Sequence, residues 1–165
     1  MEAPEIPAKH KALVYDSPGN VSAKVEYVET PRPGTGEVLV MLTHSGLCHS
    51  DMAIMTNRWT ARISPTPKGQ IGGHEGVGKI VAFGPGADKV SGLKIGSRVG
   101  IKWMAYACCN CIVCMAGLDS YCESGKVSGQ VSSGQTTNAA TNDWAIADTC
   151  TLAHSSNMQL PLHIM

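Results

Sequence analysis

The stretch Cys108-Cys109-Asn110-Cys111-Ile112-Val113-Cys114-Met115-Ala116-Gly117-Leu118-Asp119-Ser120-Tyr121-Cys122 decides how the rest of the chain is read. Cys108, Cys111 and Cys114 recur at C-x-x-C intervals, and Cys122 follows one loop later. Such a segment has too little apolar surface to fold alone. Four thiolates reached within one tight loop suit a closed tetrahedral zinc site, in which the metal crosslinks the loop. Four cysteines also hold iron-sulfur clusters, and unconnected reduced thiols would have the same composition. Cys109 is out of phase with the pattern and reads as a spectator that could scramble into the site on oxidation.

Around that lobe the chain is turn-rich. Eighteen Gly and nine Pro stand against a single Phe among 165 residues, which favours short strands over long helices and a mainly β fold. This length suffices for one domain with its own core, so no metal is needed to explain compactness. Thirteen basic residues balance thirteen acidic ones, which leaves no electrostatic footprint for nucleic acid or a membrane surface. The N-terminus Met1-Glu2-Ala3-Pro4-Glu5 lacks the basic and apolar regions of a signal peptide, and no run approaches the ~18 apolar residues of a membrane span. Seven cysteines, an odd number at metal-ligand spacing, fit a reducing compartment, and a cytoplasmic location is expected.

Working outward, Lys11 to Tyr15 and Ala23 to Val28 read as a hairpin around Ser17-Pro18-Gly19-Asn20, after a polar tail over residues 1–9. Glu37 to Thr43 reads as a buried strand that feeds into Cys48-His49-Ser50-Asp51. A short helix is expected from Ser50 to about Thr56, capped by Ser50 or Asp51. Glycines around His74 and Glu75 allow a tight turn there, and Lys79 to Phe83 is the next strand. Gly84-Pro85-Gly86 and the residues after it have turn composition, and Leu93 to Ile101 leads into a further strand. Residues 128–142 are rich in Ser, Thr, Gly, Gln and Asn, and residues 149–165 are left unassigned.

Cys48-His49-Ser50-Asp51 together with Gly73-His74-Glu75-Gly76 forms a second constellation. A thiolate and an imidazole from separate loops can supply two ligands of a catalytic metal, with Asp51 or Glu75 behind them or exchanging as ligand. Taken alone, a Cys-His dipeptide is also a packed thiol beside a surface imidazole. A Cys-His nucleophile pair is weaker, because adjacent residues of an extended segment point apart.

Cys48-His49-Ser50-Asp51, Gly73-His74-Glu75-Gly76-Val77-Gly78, Gly84-Pro85-Gly86, Gly96-Ser97-Arg98-Val99-Gly100 and the four-cysteine lobe occur in the order found in zinc-containing alcohol dehydrogenases of the medium-chain family. Through Ile101-Lys102-Trp103 the chain resembles the yeast and fungal branch. The resemblance implies a GroES-like, partly closed β-barrel over residues 10–148, with the structural-zinc lobe at 103–125. It also implies that Cys48 and His74 are catalytic-zinc ligands, with Glu75 the acidic residue at that metal and Asp51 the carboxylate that holds the ligand His. Ser50 matches the hydroxyl that takes the alcohol proton, His49 a residue near the cofactor pyrophosphate, and Trp59 a wall of the substrate pocket. The implied reaction is reversible oxidation of a small alcohol to an aldehyde or ketone with NAD, and the resemblance leaves a homo-oligomer open.

Three departures stand out against that pattern. Ala53 replaces a His that many relatives use to pass the proton to solvent. No residue matches the family's downstream cysteine ligand, and Cys150 comes too early. No G-x-G-x-x-G fingerprint opens a helix, so a Rossmann domain is expected to be absent and the 165 residues alone are expected to be inactive. A non-catalytic zinc-binding remnant or interaction module is therefore the alternative reading.

Overall fold

The computed structural model describes residues 5–59, 64–127 and 144–148. In chain order its elements are β1 (Lys9–Tyr15), β2 (Ala23–Glu29), β3 (Glu37–Ser45), α1 (His49–Met55), β4 (Gly76–Phe83), α2 (Ala87–Ser91), β5 (Arg98–Ile101) and β6 (Met104–Tyr106). Then come α3 (Ile112–Met115), a 3-10 turn (Asp119–Tyr121), β7 (Lys126–Val127) and β8 (Trp144–Asp148). The described fold is thus mainly β. No described helix is long and apolar enough to cross a membrane.

β1 and β2 form the expected antiparallel hairpin, with Gly19 at φ 98 in its turn. The central sheet runs β5-β4-β3-β8, and its described strands do not close into a barrel. β3 is buried on both faces: Val38 and Val40 pack with Ile80 and Ala87, while Leu39 packs with Val81 on the other side. This explains why its sequence is a continuous apolar run rather than an alternation. β6 and β7 pair at the base of the cysteine lobe.

Three local expectations change. α1 is capped by Cys48 rather than by Ser50 or Asp51, because the Asp51 carboxylate reaches back to the Cys48 N–H at 2.9 Å while the Cys48 sulfur accepts from Ser50 N–H at 3.3 Å. β4 begins at Gly76, so only Gly73, at φ 96, makes the tight turn at His74, and Gly76 and Gly78 are strand residues. After Gly84-Pro85-Gly86 the chain forms the short helix α2 instead of a plain turn, bounded by Gly86 and Gly92 in left-handed conformations.

The hairpin is fastened next to the functional loops. Tyr15 N–H donates to Gln70 O and Gly69 N–H to Tyr15 O, each at 2.8 Å, and Val14 bridges Ile71. Gly72 has no room for a side chain, since a Cβ there would collide with the Tyr15 hydroxyl.

Gly78 faces β3 at an irregular register step, where a Cβ would collide with the Met41 carbonyl and press on Val40. Gly78→Ala should therefore destabilise the fold by about 1–3 kcal/mol. Gly100→Ala on β5, whose Cβ would meet nothing within 4 Å, should stay within about 0.5 kcal/mol of wild type. Urea unfolding of the two variants measures the contrast, and equal losses would contradict it.

Candidate metal centres

β3 delivers the chain to Gly46, whose N–H donates to Glu75 O at 3.2 Å, so the segment entering α1 lies against the His74 loop. A Cβ on Gly46 would meet the Glu75 carboxylate and push that half-exposed side chain aside. Asp51, 1% exposed, projects from the first turn of α1. Its Oδ2 accepts the Cys48 N–H at 2.9 Å, and its Oδ1 lies 3.0 Å from His74 Nδ1. With a carboxylate there, Nδ1 carries the proton and the His74 Nε2 lone pair is left facing outward. Nε2 is 3.3 Å from the Cys48 sulfur and 3.6 Å from Glu75 Oε1.

The ligand atoms of Cys48, His74 and Glu75 all lie within 4.8 Å of one another. In this tautomer Nε2 is an acceptor, the Glu75 carboxylate is an acceptor, and the Cys48 sulfur is an acceptor once deprotonated. A thiol proton satisfies one of these contacts, whereas a cation satisfies all three. For zinc, tetrahedral bonds of ~2.3 Å to sulfur and ~2.0 Å to nitrogen put the two atoms about 3.5 Å apart. The observed separation of 3.3 Å fits.

The remaining residues singled out from the sequence lie in the same region. His49 is exposed at the start of α1, Ser50 is half-buried in its first turn, and Ala53 is buried on its inner side. Trp59 is half-buried and stands edge-on to Trp103, ring centres 6.3 Å apart. Trp103 in turn stands edge-on to the His74 ring at 4.9 Å. Sequence reading used Trp103 only as a branch marker and overlooked Tyr15, whose buried hydroxyl donates to the Asp51 carbonyl at 3.4 Å. No motif announces either role, because both depend on loops far apart in sequence. Cys150 lies outside the described residues.

The lobe brings Cys108, Cys111, Cys114 and Cys122 together, with all four sulfurs within 4.8 Å of one another. Cys108 and Cys114 sulfurs are 4.0 Å apart, close to the ~3.8 Å edge of a ZnS4 tetrahedron built on 2.3 Å bonds. That spacing leaves room for one ion, not for a multi-iron cluster with cysteines around its outside. Backbone amides point at the sulfurs: Cys111 N–H donates to Cys108 Sγ and Cys108 N–H to Cys122 Sγ, each at 3.3 Å. The Cys114 amide, with that of Glu123, lowers the Cys111 thiol to about 6, and the Asn110 amide lowers Cys108. Burial pushes Cys114 up to about 12. Several thiolates crowded together raise the last proton's pKa, and a bound cation relieves that crowding. Cys109 lies outside the set, in a left-handed conformation at φ 54.

Residues 34–160 match the alcohol dehydrogenase GroES-like domain. The chain belongs to that family. It is 57% identical over 134 residues to Alcohol dehydrogenase 2 of Emericella nidulans, covering 81% of this chain and 36% of that protein. It thus spans about a third of the length of that curated relative. Among solved structures, acetophenone reductase from Geotrichum candidum in complex with NAD superposes with a TM-score of 0.70 at 26% identity, covering 98% of this chain and 43% of the other. A cobalt- and zinc-bound thermostable alcohol dehydrogenase from Pyrobaculum aerophilum gives 0.68 at 26% identity, covering 85% and 39%. The GroES-like fold expected from the sequence is therefore the fold of this chain.

Tyr15 supplies a pH test of the packing beneath the Cys48–His74 pair. Burial, helped by the Asp51 charge, pushes its phenol up to about 12 from an ordinary value of 10.0. A raised folded pKa means its stabilising contribution is complete below the unfolded value of ~10 and is lost as pH rises through ~12. In an ultraviolet titration one of the four tyrosines should ionise late, together with alkaline unfolding. Tyr15→Phe should remove that late phase; its persistence would contradict the placement.

Proposed function

We propose that this chain is the metal-binding catalytic part of a zinc-dependent alcohol dehydrogenase, working in the cytoplasm on a small alcohol or carbonyl substrate with NAD. The observation that carries the reading is the convergence of Cys48 Sγ, His74 Nε2 and Glu75 on one point, with Asp51 fixing the imidazole from behind. In this reading Cys108, Cys111, Cys114 and Cys122 hold a structural zinc, and Cys48, His74 and Glu75 hold a catalytic one. When bound at the second site, zinc supplies Lewis acidity to an alcohol or carbonyl oxygen.

The chain's own residues then divide the work. Asp51 keeps the proton on His74 Nδ1, so that Nε2 stays available as a ligand. Ser50, one residue before Asp51 on α1, takes the alcohol proton. Ala53 cannot pass that proton on, so its release has to follow another route. Trp59 and Trp103 limit the size of the substrate and exclude water beside His74. His49, exposed at the start of α1, is placed to meet the cofactor's phosphates. Support for alcohols and NAD comes from the matched relatives, one of them an alcohol dehydrogenase by name and one solved with NAD.

A zinc-binding module without turnover is the second reading. It is favoured by the exposed third ligand Glu75 and by Ala53 at the relay position. Zinc analysis and an NAD reduction assay with a primary alcohol separate the two. Joined to the remaining part of the Emericella nidulans relative, metal-replete protein that turns over and loses turnover in Cys48→Ala carries the enzyme reading, whereas bound zinc without turnover carries the second.

Both readings place zinc in the cysteine lobe, and the first places another at Cys48, His74 and Glu75. Cys111→Ser should lose the lobe's zinc and expose residues 108–122 to protease while the sheet stays folded; unchanged stoichiometry and protection would contradict this. Asp51→Asn should weaken zinc at the Cys48–His74 site by about 10–100-fold and spare the lobe. Metal titrations with each site followed separately measure this, and equal affinities would contradict the role given to Asp51.

A further inference from the structure

The cysteine lobe and the Cys48–His74 pair meet at one residue. Trp103 stands edge-on to His74, with ring centres 4.9 Å apart and planes at 83°. It is 37% exposed, so burial alone does not hold it. Its neighbours in the chain do. On one side, Lys102 Nζ donates to Asp119 Oδ2 at 2.8 Å, and Asp119 opens the 3-10 turn between Cys114 and Cys122. On the other side, Met104 is buried against Ala107 and Cys122 in the lobe's own core. Both residues flanking Trp103 are thus anchored in the lobe, while the indole itself reaches across to the other site.

The Lys102–Asp119 pair spans 17 positions of sequence and is only partly exposed, at 37% and 21% for the two side chains. Ion pairs of this kind add little to global stability. They do restrict geometry when both ends are rooted in ordered segments, and here one end sits next to Trp103 and the other in the 3-10 turn.

We propose that Asp119 is a positioning residue for the Cys48–His74 site: through Lys102 it holds Trp103 across His74, so order in the cysteine lobe reaches the second site. The placement of Trp103 stands on the geometry alone. The consequence for metal binding at Cys48 and His74 rests on the proposed function.

The test uses the full chain labelled with fluorotryptophan, whose three tryptophans give separate fluorine resonances. Trp103→Phe assigns the line of interest, and His74→Ala identifies its sensitivity to the imidazole. In Asp119→Asn, with zinc content of the lobe unchanged, the Trp103 line should move or broaden and stop responding to His74→Ala. Asp119→Glu should restore it. Lys102→Met should reproduce the change from the other end of the pair, and decides the matter if Asp119→Asn does not fold. With zinc in the lobe, cobalt binding at Cys48 and His74 should weaken by about three- to tenfold in Asp119→Asn, below the loss for a direct partner of a ligand. In a Trp103→Phe background the same substitution should have no effect on cobalt. A Trp103 line unchanged in both Asp119→Asn and Lys102→Met would overturn the proposal, as would a cobalt loss that persists without Trp103. If wild type shows no cobalt absorption sensitive to Cys48→Ser, the proposed function fails, and the fluorine lines alone decide the positioning.

Discussion

Asp51 places a carboxylate where almost no water reaches it and spends each oxygen on a different loop. A buried charge is costly unless its lone pairs are met by donors, so the two contacts are mutually required. One ties the carboxylate to the Cys48 N–H that starts α1; the other ties it to the imidazole of His74, 23 residues away in sequence. Remove the carboxylate and both the Cys48 N–H and His74 Nδ1 lose the contact that ties them together. The packing around it serves the same arrangement. Tyr15 donates to the Asp51 carbonyl, Gly72 leaves space for that phenol, and Gly46 lets the strand end close against Glu75.

The two cysteine environments differ in a way that suits two kinds of metal chemistry. In the lobe, four sulfurs surround one point and take amide hydrogens from their own loop. Such a set is closed, as structural zinc sites are. At Cys48 one sulfur is present among the described residues, its partner imidazole is buried, and the third candidate ligand, Glu75, is half-exposed at its side chain. In the proposed function that incomplete set is what leaves room for a substrate oxygen. Lys102, Trp103 and Met104 run from the end of β5 into the lobe and so join the two environments through continuous chain.

Sequence reading recovered what depends on local pattern. The apolar run from Glu37 to Thr43 announced a buried strand, which the fold covers on both faces, and the C-x-x-C spacing announced the cluster, because its ligands lie within fifteen residues. Cys48 and His74 were singled out by motif, and they do lie side by side. Where reading failed, the deciding contact was tertiary. Cys48 caps α1 through Asp51, whose carboxylate is also held by His74 from a distant loop, and Gly78 is a strand residue because β4 pairs there with β3 and β5. Trp103 and Tyr15 carry no pattern of their own; their significance comes from the rings and loops they meet in the fold.

The tautomer of His74 is what the Asp51 contact most directly sets. A nitrogen–proton correlation spectrum of the imidazoles in metal-free protein, with His74 assigned by substitution, reads it directly. If Asp51 orients the ring through its 3.0 Å contact, the proton of the neutral ring is found on Nδ1 and moves or exchanges freely in Asp51→Asn. A proton found on Nε2 in the wild type, or a spectrum indifferent to the substitution, would contradict the central role of that carboxylate.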